Sequence, residues 1–209
     1  MPAMLIYVYF NYKYTLIRRR QLAQATVLTD KDIKRVLACI AVGRHAERNR
    51  LAFCLSVYGG CRVGEISAIK ICDAVNEDGK ARAEIKLAAT QTKGNKGRVV
   101  YVSERLQREI EAYVGSLKSY DMDMALIGTQ RRRAHFSNVT MCALFKRFYD
   151  DCGIKNSGHA GRRTQITRLH AKGVGIKTLQ RICGHSNIAT TARYIDVTDD
   201  ALHGAVNML

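Results

Sequence analysis

Imidazole, guanidinium and phenol side chains gather in the last third of the sequence, between His159 and Tyr194. His159 and Arg162 stand three residues apart, a Gly184-His185 pair follows, and Tyr194 lies nine residues beyond that histidine. Guanidinium forks match tetrahedral oxyanions, and an imidazole moves protons near neutral pH. A phenol is a poor nucleophile at pH 7 until a base or a field of cations assists it. Such a set suggests chemistry on a phosphate. Two further cations stand beside glycines upstream, Arg62 in GCRVGEI and Lys93 in TKGNKGR. Glycine allows close backbone approach or positive φ, which is one way to aim a side chain out of a core.

The whole chain has a charge that suits a polyanionic partner. Its 209 residues carry 34 Lys and Arg against 18 Asp and Glu, a net charge of +16. Nucleic acid is the first partner this implies and a membrane surface the second. No apolar run approaches the roughly 18 residues of a spanning helix, so no membrane segment is expected. Leu5 to Phe10 is too short and too tyrosine-rich for a secretory signal. The seven cysteines are odd in number and form no CxxC pair, which argues for a reducing compartment and against disulfides or a zinc site. No group of acids suited to two Mg²⁺ ions accompanies the motifs, so neither metal nor cofactor is expected.

Elements that could position these residues are legible from periodicity and caps. Residues 1–25 stand apart as a basic, tyrosine-rich extension ending near Arg18-Arg19-Arg20. Thr29 opens a helix with apolar positions Ile33, Val36, Leu37 and Ile40. A second helix is expected from Glu47 to Tyr58, stopped by Gly59-Gly60, and a third, short one carries Arg62 at its start and Glu65. Strands are expected near Ala83–Ala88 and Arg98–Val102, joined by the Lys93 to Gly97 loop. Ser103 and Ser137 each cap a further helix, and two short helices fill the interval from Arg162 to Gly184. After Tyr194, Thr198 caps a small amphipathic tail helix.

Each motif alone has a plainer reading. Arg62-x-x-Glu65 would be an ordinary i,i+3 ion pair, Lys93 with Lys96 a polar turn, His159 a helix cap, and Tyr194 a packed aromatic. Those readings leave the order and spacing of all six positions unexplained. The set resembles the tyrosine recombinase (phage integrase) family: an arginine in R-x-x-E, a hairpin lysine, H-x-x-R, a G-H pair and a tyrosine about nine residues on. The resemblance covers roughly residues 27–209, and GHSNIATTARYID is especially close to the family's terminal motif.

The resemblance implies a mainly α (α+β) catalytic domain over residues 26–209, with a small antiparallel three-stranded sheet and a C-terminal tail from about 197. It implies that Tyr194 attacks the scissile phosphate to give a 3′-phosphotyrosyl link. Arg62 and Arg162 hold the non-bridging oxygens, His159 exchanges a proton, Lys93 protonates the leaving 5′-oxygen, His185 donates to the phosphate and Glu65 braces the site. Lys96, Arg98, Arg131, Arg132, Arg133 and Arg163 are further candidates for contacts to double-stranded DNA. A homotetramer on two DNA sites is implied, with room for an accessory DNA-bending or directionality factor, in the cytoplasm at the bacterial nucleoid. Family members usually carry a separate N-terminal DNA-clamping domain. Only about 25 residues precede the catalytic part here, as in short members such as fimbrial phase-switch invertases. A type IB topoisomerase and a non-catalytic DNA-binding regulator remain as alternatives. If the excess positive charge meets DNA phosphates, log affinity should fall linearly with log salt at about −0.9 per phosphate neutralised. A flat response in a salt titration would contradict that basic face.

Overall fold

The computed structural model describes residues 25–92, 96–130, 134–195 and 206–207. The N-terminal extension through residue 24 and most of the expected tail helix lie outside them, as do Lys93 and Arg131 to Arg133.

Helix α1 (Asp30–Ala41) starts with a reciprocal cap. The Thr29 hydroxyl accepts from the Asp32 N–H, and the Asp32 carboxylate accepts from the Thr29 N–H at 2.9 Å. It buries Ile33, Val36 and Ile40 on one face. Helix α2 (Ala46–Val57) behaves differently, because Leu51 through Val57 are all buried. Its first half is polar, with Glu47 and Arg50 exposed, and its second half, apolar nearly all round, lies in the interior. It packs against α1, against α3 (Val63–Ala68), against α5 (Glu104–Gly115) and against α7 (Ala160–Ala171). Phe53 of α2 meets Phe148 edge-on at 6.4 Å and Tyr149 at 6.3 Å between ring centroids, both from α6 (Asn138–Asp150). Cys54 and Cys61 are sealed in this core, and burial pushes both thiols up to about 12, where they are inert.

The sheet is smaller than expected. Among the described residues it has two antiparallel strands, β1 (Glu84–Leu87) and β2 (Arg98–Tyr101), in the register Glu84 to Tyr101 and Leu87 to Arg98. Ile85, Leu87 and Val100 point into the core. The three-stranded expectation fails because the segment ahead of β1 is spent on a tight turn. After α4 (Ile71–Ala74) the chain reverses through Asn76 and Gly79 (φ +74°), leaving a single bridge between Val75 and Ala81. Within the described residues the helix expectations otherwise stand within a residue or two, and Ser103 and Ser137 accept N-terminal N–H bonds as caps.

The last helices are short. Helix α8 (Ile176–Cys183) ends at Gly184 with φ +61°, and α9 (Ile188–Ala192) starts at Asn187. A second small core of Ile166, Leu179 and Cys183 forms between α7 and α8, with Tyr194 packed on it.

Helix α7 can lie on α2 only because residue 161 is glycine. A Cβ there would sit 2.3 Å from the Ser56 Oγ and 3.0 Å from the Ser56 backbone. Gly161→Ala should therefore lower unfolding free energy by about 1–3 kcal/mol, the usual cost of overpacking, in urea denaturation. An unshifted midpoint would show that α2 and α7 are not in this contact.

Candidate active site

Glu65 is the anion at the centre of the site. Its carboxylate accepts from the Arg62 Nη1 at 2.6 Å, the Arg62 backbone N–H at 2.8 Å, the Arg98 Nε at 3.0 Å and the Arg98 Nη2 at 2.7 Å. Burial opposes ionisation of this carboxyl, but the bonds and charge from Arg98, then those from Arg62, prevail and hold its pKa below the ordinary value. The local cause is the R-x-x-E spacing. Arg62 caps α3 in an extended conformation, which turns the Glu65 side chain back to the Arg62 N–H.

The two arginines on Glu65 differ in access. The Arg62 side chain is 28% exposed, whereas that of Arg98 is 5% exposed. Arg98 also donates to the Ile182 carbonyl at 3.0 Å and the Gly60 carbonyl at 3.4 Å. Arg98, a candidate DNA contact by sequence, therefore has its guanidinium enclosed and spent on protein acceptors rather than presented to solvent.

Arg162, on the first turn of α7, is buried and reaches across three elements. It donates to the Gly60 carbonyl at 2.6 Å, the Cys183 carbonyl at 2.6 Å and the His185 Nε2 at 3.0 Å, and its Nε–H has no partner among the described residues. Burial, then the charges of Arg62 and Arg98, push its pKa down to about 10, which leaves it cationic at neutral pH.

His185 follows the αL turn at Gly184. An arginine N–H can only donate, so the His185 Nε2 accepts and the ring proton of the neutral form sits on Nδ1, facing the Thr191 Oγ1 at 2.9 Å. Burial, then Arg162, Arg62, Arg98 and Arg193, lower the His185 pKa from 6.5 to about 4. As arranged, this histidine accepts from Arg162, and a donor role toward a phosphate requires that bond to open.

Tyr194 closes the group. Its ring stacks on that of His185 with centroids 5.8 Å apart and planes 15° apart, and the Arg163 guanidinium lies 5.7 Å above it. The Thr167 hydroxyl donates to its carbonyl at 3.1 Å. His159, the exposed N-cap of α7, opens on a cleft of about 400 Å³ between α3 and α6 that Arg62 and Lys146 also line.

Sequence motifs thus converge for Arg62, Glu65, Arg162, His185 and Tyr194, with His159 beside Arg62. Lys96 is exposed at the foot of β2, and Arg163 is half-buried on the Tyr194 ring. Lys93, Arg131, Arg132 and Arg133 are outside the described residues. Two participants carry no motif signal. Thr191 is fully buried and holds His185, and Gln165 donates to the Tyr58 carbonyl at 2.6 Å beside Gly60. Threonine inside the TTARY run was the available hint, but polarity alone does not tell a ligand of histidine from a solvated face.

Residues 26–201 match the model of the phage integrase family. The chain belongs to that family. It is 33% identical over 179 residues to tyrosine recombinase XerA of Thermococcus kodakarensis, covering 85% of this chain and 60% of that protein. The crystal structure of XerA recombinase superposes with a TM-score of 0.70 at 26% identity, over 89% of this chain and 65% of the other. The Tn1549 transposon integrase, solved in complex with transposon right end DNA, shares the fold with a TM-score of 0.69 at 18% identity, over 90% of this chain and 67% of the other. The chain thus spans about three fifths of the length of its XerA relative.

The depressed pKa of His185 sets a stability window. In the folded site the ring stays neutral down to about pH 4, whereas an unfolded chain protonates it near 6.5. Its contribution is complete above about pH 6.5 and is lost as pH falls toward 4, by at most about 3 kcal/mol. Denaturation at pH 7 and pH 4.5 should show a smaller loss for His185→Gln than for the parent, and equal losses would refute the assignment.

Proposed function

We propose that residues 26–209 form the catalytic domain of a site-specific DNA recombinase that cleaves and rejoins strands through a covalent 3′-phosphotyrosyl link. The carrying observation is the meeting of Arg162, His185 and Tyr194 from three separate elements, with Arg62 tied to them through Glu65, Arg98 and the Gly60 carbonyl. Family membership and the DNA held by the Tn1549 integrase support the same reading.

In this reading a scissile phosphate enters between Arg62 and Arg162. Arg62 has the accessible guanidinium, and the Arg162 Nε–H has no partner among the described residues. Both stabilise charge that grows on the non-bridging oxygens as Tyr194 attacks. The phenol proton passes to His159, the bond from phosphorus to the 5′-oxygen breaks, and Lys93 supplies a proton to that oxygen. A mobile ammonium suits the task. The phosphodiester is replaced by a phosphotyrosyl ester of similar energy, so a 5′-hydroxyl can reverse the step without ATP. The cations supply the charge stabilisation that a metal ion would otherwise provide.

His185 joins once Arg162 turns toward the phosphate. Its ring must then carry the proton on Nε2, and the Thr191 hydroxyl permits this because it can donate to Nδ1 as readily as accept from it. Double-stranded DNA is the partner, with a tetramer joining two sites, an accessory bending or directionality factor, and the bacterial nucleoid as the place of action.

A nicked suicide duplex carrying a site selected from a random-sequence pool tests the chemistry. The parent chain should give a covalent protein–DNA band in a denaturing gel, and Tyr194→Phe should abolish the band while retaining DNA binding. An undiminished band from Tyr194→Phe would overturn the nucleophile assignment.

A further inference from the structure

We infer that Arg98 is a positioning residue for the reaction, acting through Glu65 on Arg62 and through shared backbone on Arg162 and His185. The inference rests on the recombinase reading and adds to it a side chain that never touches DNA.

The geometry is specific to a guanidinium. One fork face, Nε and Nη2, spans both oxygens of Glu65 at 3.0 and 2.7 Å. The remaining Nη1 reaches the Ile182 carbonyl in the last turn of α8 at 3.0 Å. Nη2 also approaches the Gly60 carbonyl at 3.4 Å, and that same oxygen accepts from Arg162 at 2.6 Å. The aliphatic stem fills the space beside Gly184, where a Cβ would fall 2.8 Å from the Arg98 Cδ. Arg98 therefore ties together the cap of α3, the end of α2, the end of α8 and the first residue of β2. A lysine there has a single point charge and cannot make these contacts at once.

Its place in the chain adds a second consequence. Arg98 is the first residue of β2, five positions after Lys93. The bonds to Glu65 and Ile182 thus fix where β2 begins, close in sequence to that lysine. Without them, Glu65 keeps, among the described residues, the two bonds from Arg62. No described residue then fixes its carboxylate plane from the strand side, so the Arg62 fork loses its set position. A misplacement of about 1 Å in such a site costs on the order of 100-fold in rate.

A positioning residue and a phosphate contact differ in measurable ways. On a nicked duplex carrying the site that the 209-residue chain selects, single-turnover formation of the covalent complex should fall roughly 10- to 100-fold in Arg98→Met. Arg98→Lys should fall nearly as far, because it restores charge without the fork. The dissociation constant of the duplex and the salt slope should match the parent in both, whereas loss of a phosphate contact would reduce that slope by about 0.9. Arg98→Met combined with Glu65→Gln should be no slower than the slower single variant, since both break one network. Parent-like cleavage in Arg98→Met, a lowered salt slope, or defects that multiply in the double variant would each overturn the inference. Should Arg98→Met fail to melt as a folded protein, Arg98→Lys with a parent-like melting temperature carries the test. Absence of any covalent complex in the parent chain would instead strike the recombinase reading itself.

Discussion

The site depends on one buried carboxylate. Arg62, Arg98 and Arg162 come close enough for the first two to depress the pKa of the third, and Glu65 is the carboxylate set among them. Ions out of water are stable only when paired and fully hydrogen-bonded. Glu65 meets that condition, since four donors fill its acceptor positions. Removing one partner from a buried network of this kind typically costs about 3–5 kcal/mol, as it leaves the other charge uncompensated. The same bonds that offset the burial fix the direction of Arg62, whose outer edge stays accessible.

Helix ends supply the rest of the compensation. The carbonyls of Ile182 and Cys183 close α8 and have no intrahelical partners of their own, and the negative end of the helix dipole lies there. Arg98 takes the first carbonyl and Arg162 the second. The Gly60 carbonyl, just past the end of α2, takes both guanidiniums. Gly60 has φ +60°, and a side chain there would run into Gln165, so only glycine leaves room for the turn that aims this oxygen inward. Cation placement and helix termination are therefore the same event in this fold.

This explains what was readable in the sequence and what was not. Helices α1, α5 and α6 announce themselves through a cap followed by one apolar face, because their ends are satisfied within a few residues. The R-x-x-E and G-H motifs are local for the same reason: Glu65 turns back on Arg62, and Gly184 ends α8 beside His185. Arg98 was legible only as one more cation after a hairpin. Its partners are 33 and 84 positions away, and no periodicity encodes a contact of that range. The third strand fails on a similar count, since the turn at Asn76 and Gly79 was visible but the length of pairing on either side of it is set by packing. Thr191 was missed because its partner is fixed by the αL turn at Gly184, which decides where His185 points.

The charge balance connects these details to chemistry. Among the described groups around Glu65, the three guanidiniums against one carboxylate, with His185 neutral, leave a net two positive charges. In the proposed reaction a phosphodiester brings about one negative charge, and its displacement by a phenolate gathers about one more in the transition state. A site balanced against the ground state would hold DNA and gain nothing at the step that matters, whereas one with charge still in excess favours the transition state. Keeping His185 neutral serves that balance. A protonated His185 would be a fourth cation there and would add to the repulsion from Arg62, Arg98 and Arg162. A neutral ring held by Thr191 adds only a dipole, which can be turned toward the phosphate by moving one proton between its two nitrogens.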